Sequence, residues 1–187
     1  MATTPAAINA SEVADIEAVL VLLGLVAVGA LVVAFSVPRT RPAVAAYVAG
    51  TGTLLAAGVA ALAAGGSLWF SEGAGFPPCE LCWYQRIAMY PLVVVLGMAG
   101  FRDSGTGRLT GIVIATLGLA VSAWHIVVEA FPDSAGGGCD PDNPCTIRWV
   151  EGLGSWTIPR LAAGCFVIII ALTLLDHLAL RDRKDPS

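Results

Sequence analysis

The 187-residue sequence is 57% hydrophobic and 13% charged, whereas soluble domains carry roughly a quarter charged residues. Long uncharged stretches leave almost no chain for a soluble domain, which excludes a nucleotide fold, a nucleic-acid reader and an extracellular catalytic domain. The net charge of -4 comes from 14 acidic and 10 basic residues, with nine Arg, one Lys and no basic tract, so no electrostatic partner such as nucleic acid is indicated.

Near-absence of charge marks five spans in chain order: Ala18 to Val37, Pro42 to Ser71, Leu81 to Phe101, Leu109 to Val128 and Trp156 to Leu175. Each approximates the ~20 residues that cross a bilayer as a helix. The first has Glu12, Asp15 and Glu17 before it and no Lys or Arg, unlike a signal peptide, and reads as an uncleaved helix. Arg39, Arg41, Arg102, Arg108, Arg181, Arg183 and Lys184 fall on one side of these spans, which the positive-inside rule makes cytoplasmic. The N-terminus, the loop around Ser71 to Glu80 and the loop from Pro132 to Trp156 then face outward. In that long loop the run Asp133 to Gly138 is expected to be flexible. The Trp-bearing segment Ile147 to Trp156 is expected to lie on the membrane surface as a short amphipathic helix.

The chemistry concentrates on the outer side. Cys79-Glu80-Leu81-Cys82 is a C-x-x-C where a loop becomes a helix, after Pro77 and Pro78, and such a position depresses a thiol pKa. Arg86, four residues after Cys82, shares its helix face and offers a cation to a sulfur anion; it also lies inside an apolar span, where an ionisable residue points to function. A second pair, Cys139 and Cys145, sits in the outer loop, where thiols oxidise and an incoming thiol has access. A static staple or a zinc site competes with redox work, although the Cys139–Cys145 spacing exceeds the usual zinc interval. Cys165, mid-span and without a partner in sequence, reads as a small apolar filler. His125, with Glu129 on the same face, is suited either to a cofactor carbonyl or proton relay or to plain packing. Gln85 can hold a ligand group or cap a backbone, and His177 beside Asp176 reads as an interfacial bystander. The sequence holds no haem C-x-x-C-H, no iron–sulfur cysteine run and no dinucleotide glycine fingerprint. By elimination, a lipid-soluble quinone becomes the expected acceptor for the two electrons and two protons of a dithiol.

The run Pro78-Cys79-Glu80-Leu81-Cys82-Trp83-Tyr84-Gln85-Arg86-Ile87-Ala88-Met89-Tyr90-Pro91 resembles the signature of the DsbB family of disulfide-bond formation proteins, in particular its BdbC branch. The resemblance extends over roughly Thr51 to Leu175 and takes in Cys139, Cys145 and Thr157-Ile158-Pro159. It implies an all-α integral membrane protein of the bacterial cytoplasmic membrane: a four-helix transmembrane bundle that reoxidises a DsbA-like thioredoxin-fold oxidase and passes electrons to menaquinone or ubiquinone from the membrane pool. By the same resemblance Cys139 receives the partner's thiol with Cys145 as companion, Cys79 passes the disulfide between loops, and Cys82 faces the quinone. Arg86, with Gln85 and His125 beside it, would form the quinone site, and no metal is expected. Gln85 stands where some members carry an acidic residue. The first span is extra to the family core, so residues 1–41 are expected to form an added helix, 42–180 the redox bundle and 181–187 a cytoplasmic tail. Two other readings compete: a vitamin K epoxide reductase-like quinone reductase, in which the reactive C-x-x-C belongs late in the bundle rather than opening its second helix, and a cysteine-based metal carrier.

Overall fold

A computed structural model describes residues 9–132, 139–140 and 142–184; the run Asp133 to Gly138, expected to be flexible, lies outside the described residues. Six helices account for most of the rest: α1 (Ala10–Ser36), α2 (Arg41–Val48), α3 (Gly52–Leu68), α4 (Glu80–Phe101), α5 (Gly105–Ala130) and α6 (Ile158–Lys184). A π-helical turn, Trp69–Gly73, extends α3. Among the described residues five helical stretches are long and apolar enough to cross a membrane: Ala10–Ser36, Gly52–Gly73, Glu80–Phe101, Gly105–Ala130 and Ile158–Arg183. Five spans were expected, and five are found, in a multi-pass all-α membrane protein. Their outward faces carry exposed Leu23, Val26, Leu62, Val94 and Leu117, as a lipid-facing surface requires.

Helices α3, α4, α5 and α6 form a ring in which each packs on its neighbours in chain order and α6 closes onto α3. Between lipid-embedded helices there is little hydrophobic drive, so packing depends on close approach at small residues. Gly118 of α5 illustrates this: a Cβ there would collide with the ring of Phe166 on α6, itself fully buried. Gly111 likewise makes room for Leu96 of α4. Helix α1 lies outside the ring against α6, and α2 bridges α1 and α6.

At the end carrying Arg39, Arg41 and Arg102, a buried polar knot ties three helices. Asp176 accepts hydrogen bonds from the Gly50 backbone N–H (2.5 Å), the Thr53 hydroxyl and Arg108 Nε (2.8 Å), and Arg108 Nη1 also meets Asp103 Oδ1 at 2.8 Å. Arg108 is thus a buried structural cation rather than a loop charge, and Asp176 is a core residue. The knot also corrects the second span. The uncharged run from Pro42 to Ser71 is not one helix but α2, a turn and α3. Gly50 adopts φ +90°, a left-handed conformation open to glycine, and gives its N–H to Asp176 instead of to a helical carbonyl. The first span is corrected at its start: α1 begins at Ala10, with the Glu12 carboxylate accepting from the Asn9 N–H at 3.1 Å, so the acidic residues lie on the helix rather than before it.

At the opposite end the loops interlock. Phe76 stacks between Phe70 (6.3 Å between centroids) and Trp149 (5.1 Å), and Thr157 donates to Glu129 Oε2 at 2.7 Å. The amphipathic surface helix expected within Ile147 to Trp156 is absent. That stretch is extended and ends in a tight turn closed by a Gly152–Trp156 bridge, with Leu153 at φ 48° and Gly154 at φ +73°. Two consecutive left-handed residues cannot belong to a right-handed helix, and Gly152 is pressed against the Ala14 carbonyl of α1.

Candidate active site

Each of the two prolines before Cys79 disfavours helical backbone in the residue that precedes it, so the chain stays non-helical through them and the helix begins only afterwards. Cys79 becomes the N-cap of α4, its Sγ accepting from the Cys82 N–H at 3.3 Å. One helical turn then brings Cys82 Sγ to 2.6 Å from Cys79 Sγ. The hydrogen bond from the Cys82 thiol holds the Cys79 thiol well below its ordinary 9.0, at about 5; burial opposes this and His125 assists it. A thiolate was expected in this pair from its place at a helix start, and the lowered value falls on the cap cysteine, whose largest stabilising contact is the Cys82 thiol.

Cys79 and Cys82 face different neighbours. Cys79 is buried in a cluster with Val128 and Cys145, and Cys145 is joined to Cys139 in a disulfide. Cys145 is 1% exposed, whereas Cys139 is partly accessible. The loop is held over the C-x-x-C by Asn143, whose Nδ2 donates to the carbonyls of Pro77 (3.4 Å) and Pro78 (3.2 Å).

Cys82 borders a cavity of about 290 Å³ between α1, α3, α4 and α6. Its walls are largely apolar, with Leu20, Val59, Met89, Leu161 and Ile168 among them, and Gln85 and Arg86 line it as well. Apolar walls with a few convergent polar groups are the usual make-up of a small-molecule site. Arg86 is 9% exposed and gripped by α3: Nε donates to Ser67 Oγ at 2.9 Å and Nη2 to the Ser67 carbonyl at 2.7 Å, while the guanidinium lies 5.4 Å from the Trp83 ring. Neither partner carries a negative charge. The cation therefore enters the cavity without a carboxylate bound to it. One turn further along α4, the Tyr90 hydroxyl is buried at the same cavity, with no hydrogen-bond partner among the described residues.

The expectation placed His125 beside Arg86, but His125 is not among the residues lining this cavity. Its Nε2 is 3.0 Å from the Cys145 carbonyl oxygen and 3.8 Å from Cys79 Sγ, and its Nδ1 is 3.1 Å from Gln85 Nε2. A carbonyl only accepts, so Nε2 carries the proton, and Nδ1 accepts from the Gln85 amide. His125 thus joins the two cysteine pairs, and Gln85 spans from His125 to the cavity wall. Helical spacing from Glu129 identified the face of α5 but not what packs against it. Ser67 and Glu17, both cavity residues, had no motif to mark them, and Tyr90 stood in the signature run with no role assigned to it. Cys165 is buried and fills the cavity wall.

Cys79, Cys82 and His125 offer three ligand atoms within 4.8 Å of one another. Two thiolates on one tetrahedral zinc stand roughly 3.8 Å apart, given Zn–S bonds of about 2.3 Å. The 2.6 Å between these sulfurs suits a bond between them better than a shared metal.

Comparison with known proteins identifies the family. A family model described as "Disulfide bond formation protein DsbB" matches residues 49–176, close to the extent over which the sequence resemblance was read. The chain is 42% identical over 116 residues to a "Probable disulfide formation protein" of Oceanobacillus iheyensis, covering 61% of this chain and 80% of the relative. It is 41% identical over 118 residues to "Disulfide bond formation protein C" of Bacillus subtilis, covering 63% of this chain and 86% of the relative. No solved structure matches. A C-x-x-C capping a membrane helix beneath a loop disulfide, in a chain with these relatives, has one consistent assignment: the protein belongs to the DsbB family of disulfide bond formation proteins and is a multi-pass membrane protein of disulfide formation.

Proposed function

We propose that the chain is a thiol:quinone oxidoreductase that generates disulfides and reoxidises a DsbA-like thioredoxin-fold oxidase outside the bacterial cytoplasmic membrane, with residues 42–180 as its redox bundle. The observation that carries this reading is the two-sided setting of the C-x-x-C. Cys79 packs on the Cys139–Cys145 disulfide, and Cys82 borders a cavity that holds a cation. On the loop side, a thiolate of the partner attacks Cys139, the more accessible sulfur, and Cys145 leaves as thiolate. The partner's second thiol resolves the mixed disulfide, so the partner's dithiol becomes a disulfide and the loop pair becomes a dithiol. Cys145 then attacks Cys79 of an oxidised Cys79–Cys82 pair, which releases Cys82 as a thiolate at the cavity. Cys139 attacks the Cys145–Cys79 bond, restoring the loop disulfide and leaving the C-x-x-C reduced. His125, within reach of Cys79 and bonded to the Cys145 carbonyl, orients the loop for this exchange and offers an N–H to the sulfur that leaves.

The cavity suits a quinone ring: apolar walls, Arg86 for an electron-rich oxygen, and the unpartnered Tyr90 hydroxyl as a second donor. When bound, menaquinone or ubiquinone supplies a two-electron, two-proton acceptor. Arg86 binds and polarises, Tyr90 and Gln85 orient, and the apolar walls exclude water. Seven basic residues at the opposite end support an orientation with the redox cysteines and the N-terminus outside and the C-terminus in the cytoplasm.

The test is a single turnover. The purified chain, reduced at its cysteines, is mixed with a soluble short-tailed quinone while quinol formation and thiol loss are followed together. Two thiols lost per quinol, abolished by Cys82→Ser, is the expected result. Thiols that persist with no quinol formed would sink the proposal, and bound metal in that sample would favour the metal-carrier reading.

A further inference from the structure

The extra helix α1 lies outside the four-helix ring and outside residues 49–176 that match the family. It is nevertheless a wall of the cavity, to which it contributes Glu17, Leu20, Val21 and Gly24. Its seat is specific. A Cβ at Gly24 would stand 2.7 Å from Ile168 Cδ1 of α6, Gly164 of α6 has room for nothing beyond the Val21 side chain, and Asp15 Oδ1 accepts from the Leu153 N–H at 2.7 Å.

Glu17 is the acidic side chain this helix turns inward. Its carboxyl lies directly on Gly66 of α3, where any Cβ would collide with Oε1. The next residue, Ser67, grips Arg86. A carboxyl from α1 and a guanidinium from α4 thus meet α3 at adjacent residues and line one cavity, yet among the described residues Glu17 makes no ion pair or hydrogen bond. A carboxyl inside a membrane helix without a partner is costly, and one that faces a ligand cavity beside a cation is placed for proton handling.

We propose that Glu17 is a catalytic residue of the cavity, giving a proton to a ring oxygen of the bound quinone as the Cys79–Cys82 dithiol is oxidised. The inference rests on the thiol:quinone reading above. The balance is simple. The Cys79 thiolate and the Cys82 thiol form one S–S bond and lose two electrons and one proton, while the quinone gains two electrons and two protons. Glu17 gives the second of those protons from its carboxyl and is reprotonated from the outer aqueous side, to which Cys79 lost its proton on ionising.

The experiment uses the full chain in detergent with a short-tailed ubiquinone as probe. Glu17→Gln keeps the shape and a hydrogen-bond donor but cannot transfer the proton. It is expected to bind the probe within about 2-fold of the parent Kd and to slow single-turnover quinol formation on the order of 100-fold, with partial rescue by Glu17→Asp. A second readout needs no turnover: adding quinone to the fully oxidised parent chain should perturb a carboxyl C=O band in the infrared difference spectrum, and Glu17→Gln should lack that band. Glu17→Gln at the parent rate, or no carboxyl band in the parent, overturns the inference. If the variant fails to fold, the parent spectrum decides. A parent chain that forms no quinol overturns the thiol:quinone reading itself. A parent that forms quinol beside an equally fast Glu17→Gln overturns only the role of Glu17.

Discussion

Arg86 offers the sharpest separation of the two sides of the C-x-x-C. Its guanidinium makes two hydrogen bonds to Ser67, at 2.9 and 2.7 Å, and none to the loop disulfide. Arg86→Ala removes a fixed cation from a largely apolar cavity. Losing one preorganised donor aimed at developing negative charge costs about 10²–10³ in rate, or roughly 2.7–4 kcal/mol. The Ser67 carbonyl belongs to α3 and the Ser67 hydroxyl can turn to a neighbouring carbonyl, so no buried acceptor is stranded and the stability loss should stay near ~1–2 kcal/mol. Arg86→Lys keeps the charge but not the fork, and should fall between, at roughly a tenth of the parent rate. The assay has two arms on the same preparations: single-turnover reduction of a soluble quinone by the reduced chain, and oxidation of a reduced thioredoxin-fold partner by the Cys139–Cys145 disulfide without quinone. The first should drop at least about 100-fold in Arg86→Ala, and the second should change less than about 2-fold, since Arg86 touches neither loop cysteine. Equal loss in both arms, or no loss in the first, would refute the division of labour drawn from the cavity.

His125→Ala should impair the exchange between Cys145 and Cys79 seen in rapid-quench thiol mapping, and should also lower stability by about 1–3 kcal/mol in a chemical melt, because the Gln85 amide and the Cys145 carbonyl lose a buried partner. The low Cys79 value fixes the sign of a pH profile. A thiol held at about 5 is deprotonated above that pH, so alkylation of Cys79 in the reduced chain should stay flat through neutral pH and fall only as the pH drops through about 5. A profile that falls away below about 8.5, as for a free cysteine, would contradict the capped thiolate. Asp176→Ala strips Arg108 of a fully buried partner and should cost about 3–5 kcal/mol of stability. Gly118→Ala forces a methyl into the Phe166 ring, and about 1–3 kcal/mol of destabilisation is expected in the same melt.

Much of this arrangement is written in local sequence. Nearly charge-free runs mark the membrane helices because a charge within a span is costly, and the prolines before Cys79 mark the helix start because each disfavours helical backbone in the residue before it. What stayed hidden depends on neighbours distant in sequence. The break at Gly50 is invisible to hydropathy because Ala49, Gly50 and Thr51 are uncharged; only Asp176, 126 residues away, makes the turn worthwhile. The three acids of α1 suggest a solvated flank until the fold shows Asp15 holding the outer loop and Glu17 facing the cavity. The face of His125 follows from helical spacing, but its contacts depend on a loop that arrives 20 residues later and lies over α5. Ile147 to Trp156 has the composition of a surface helix, and Gly152 and Gly154 were the signal that it turns instead.

The central claim is that Cys79 joins the loop disulfide to the cavity cysteine. It is tested most directly by removing the two outer sulfurs of the chain of exchanges, in a Cys82→Ser, Cys139→Ser double variant, and mapping disulfides by mass spectrometry after mild oxidation without reductant. A peptide pair linked through Cys79 and Cys145, which pack in one buried cluster, is the expected product. Both cysteines recovered as free thiols, or either one linked to Cys165, would contradict it.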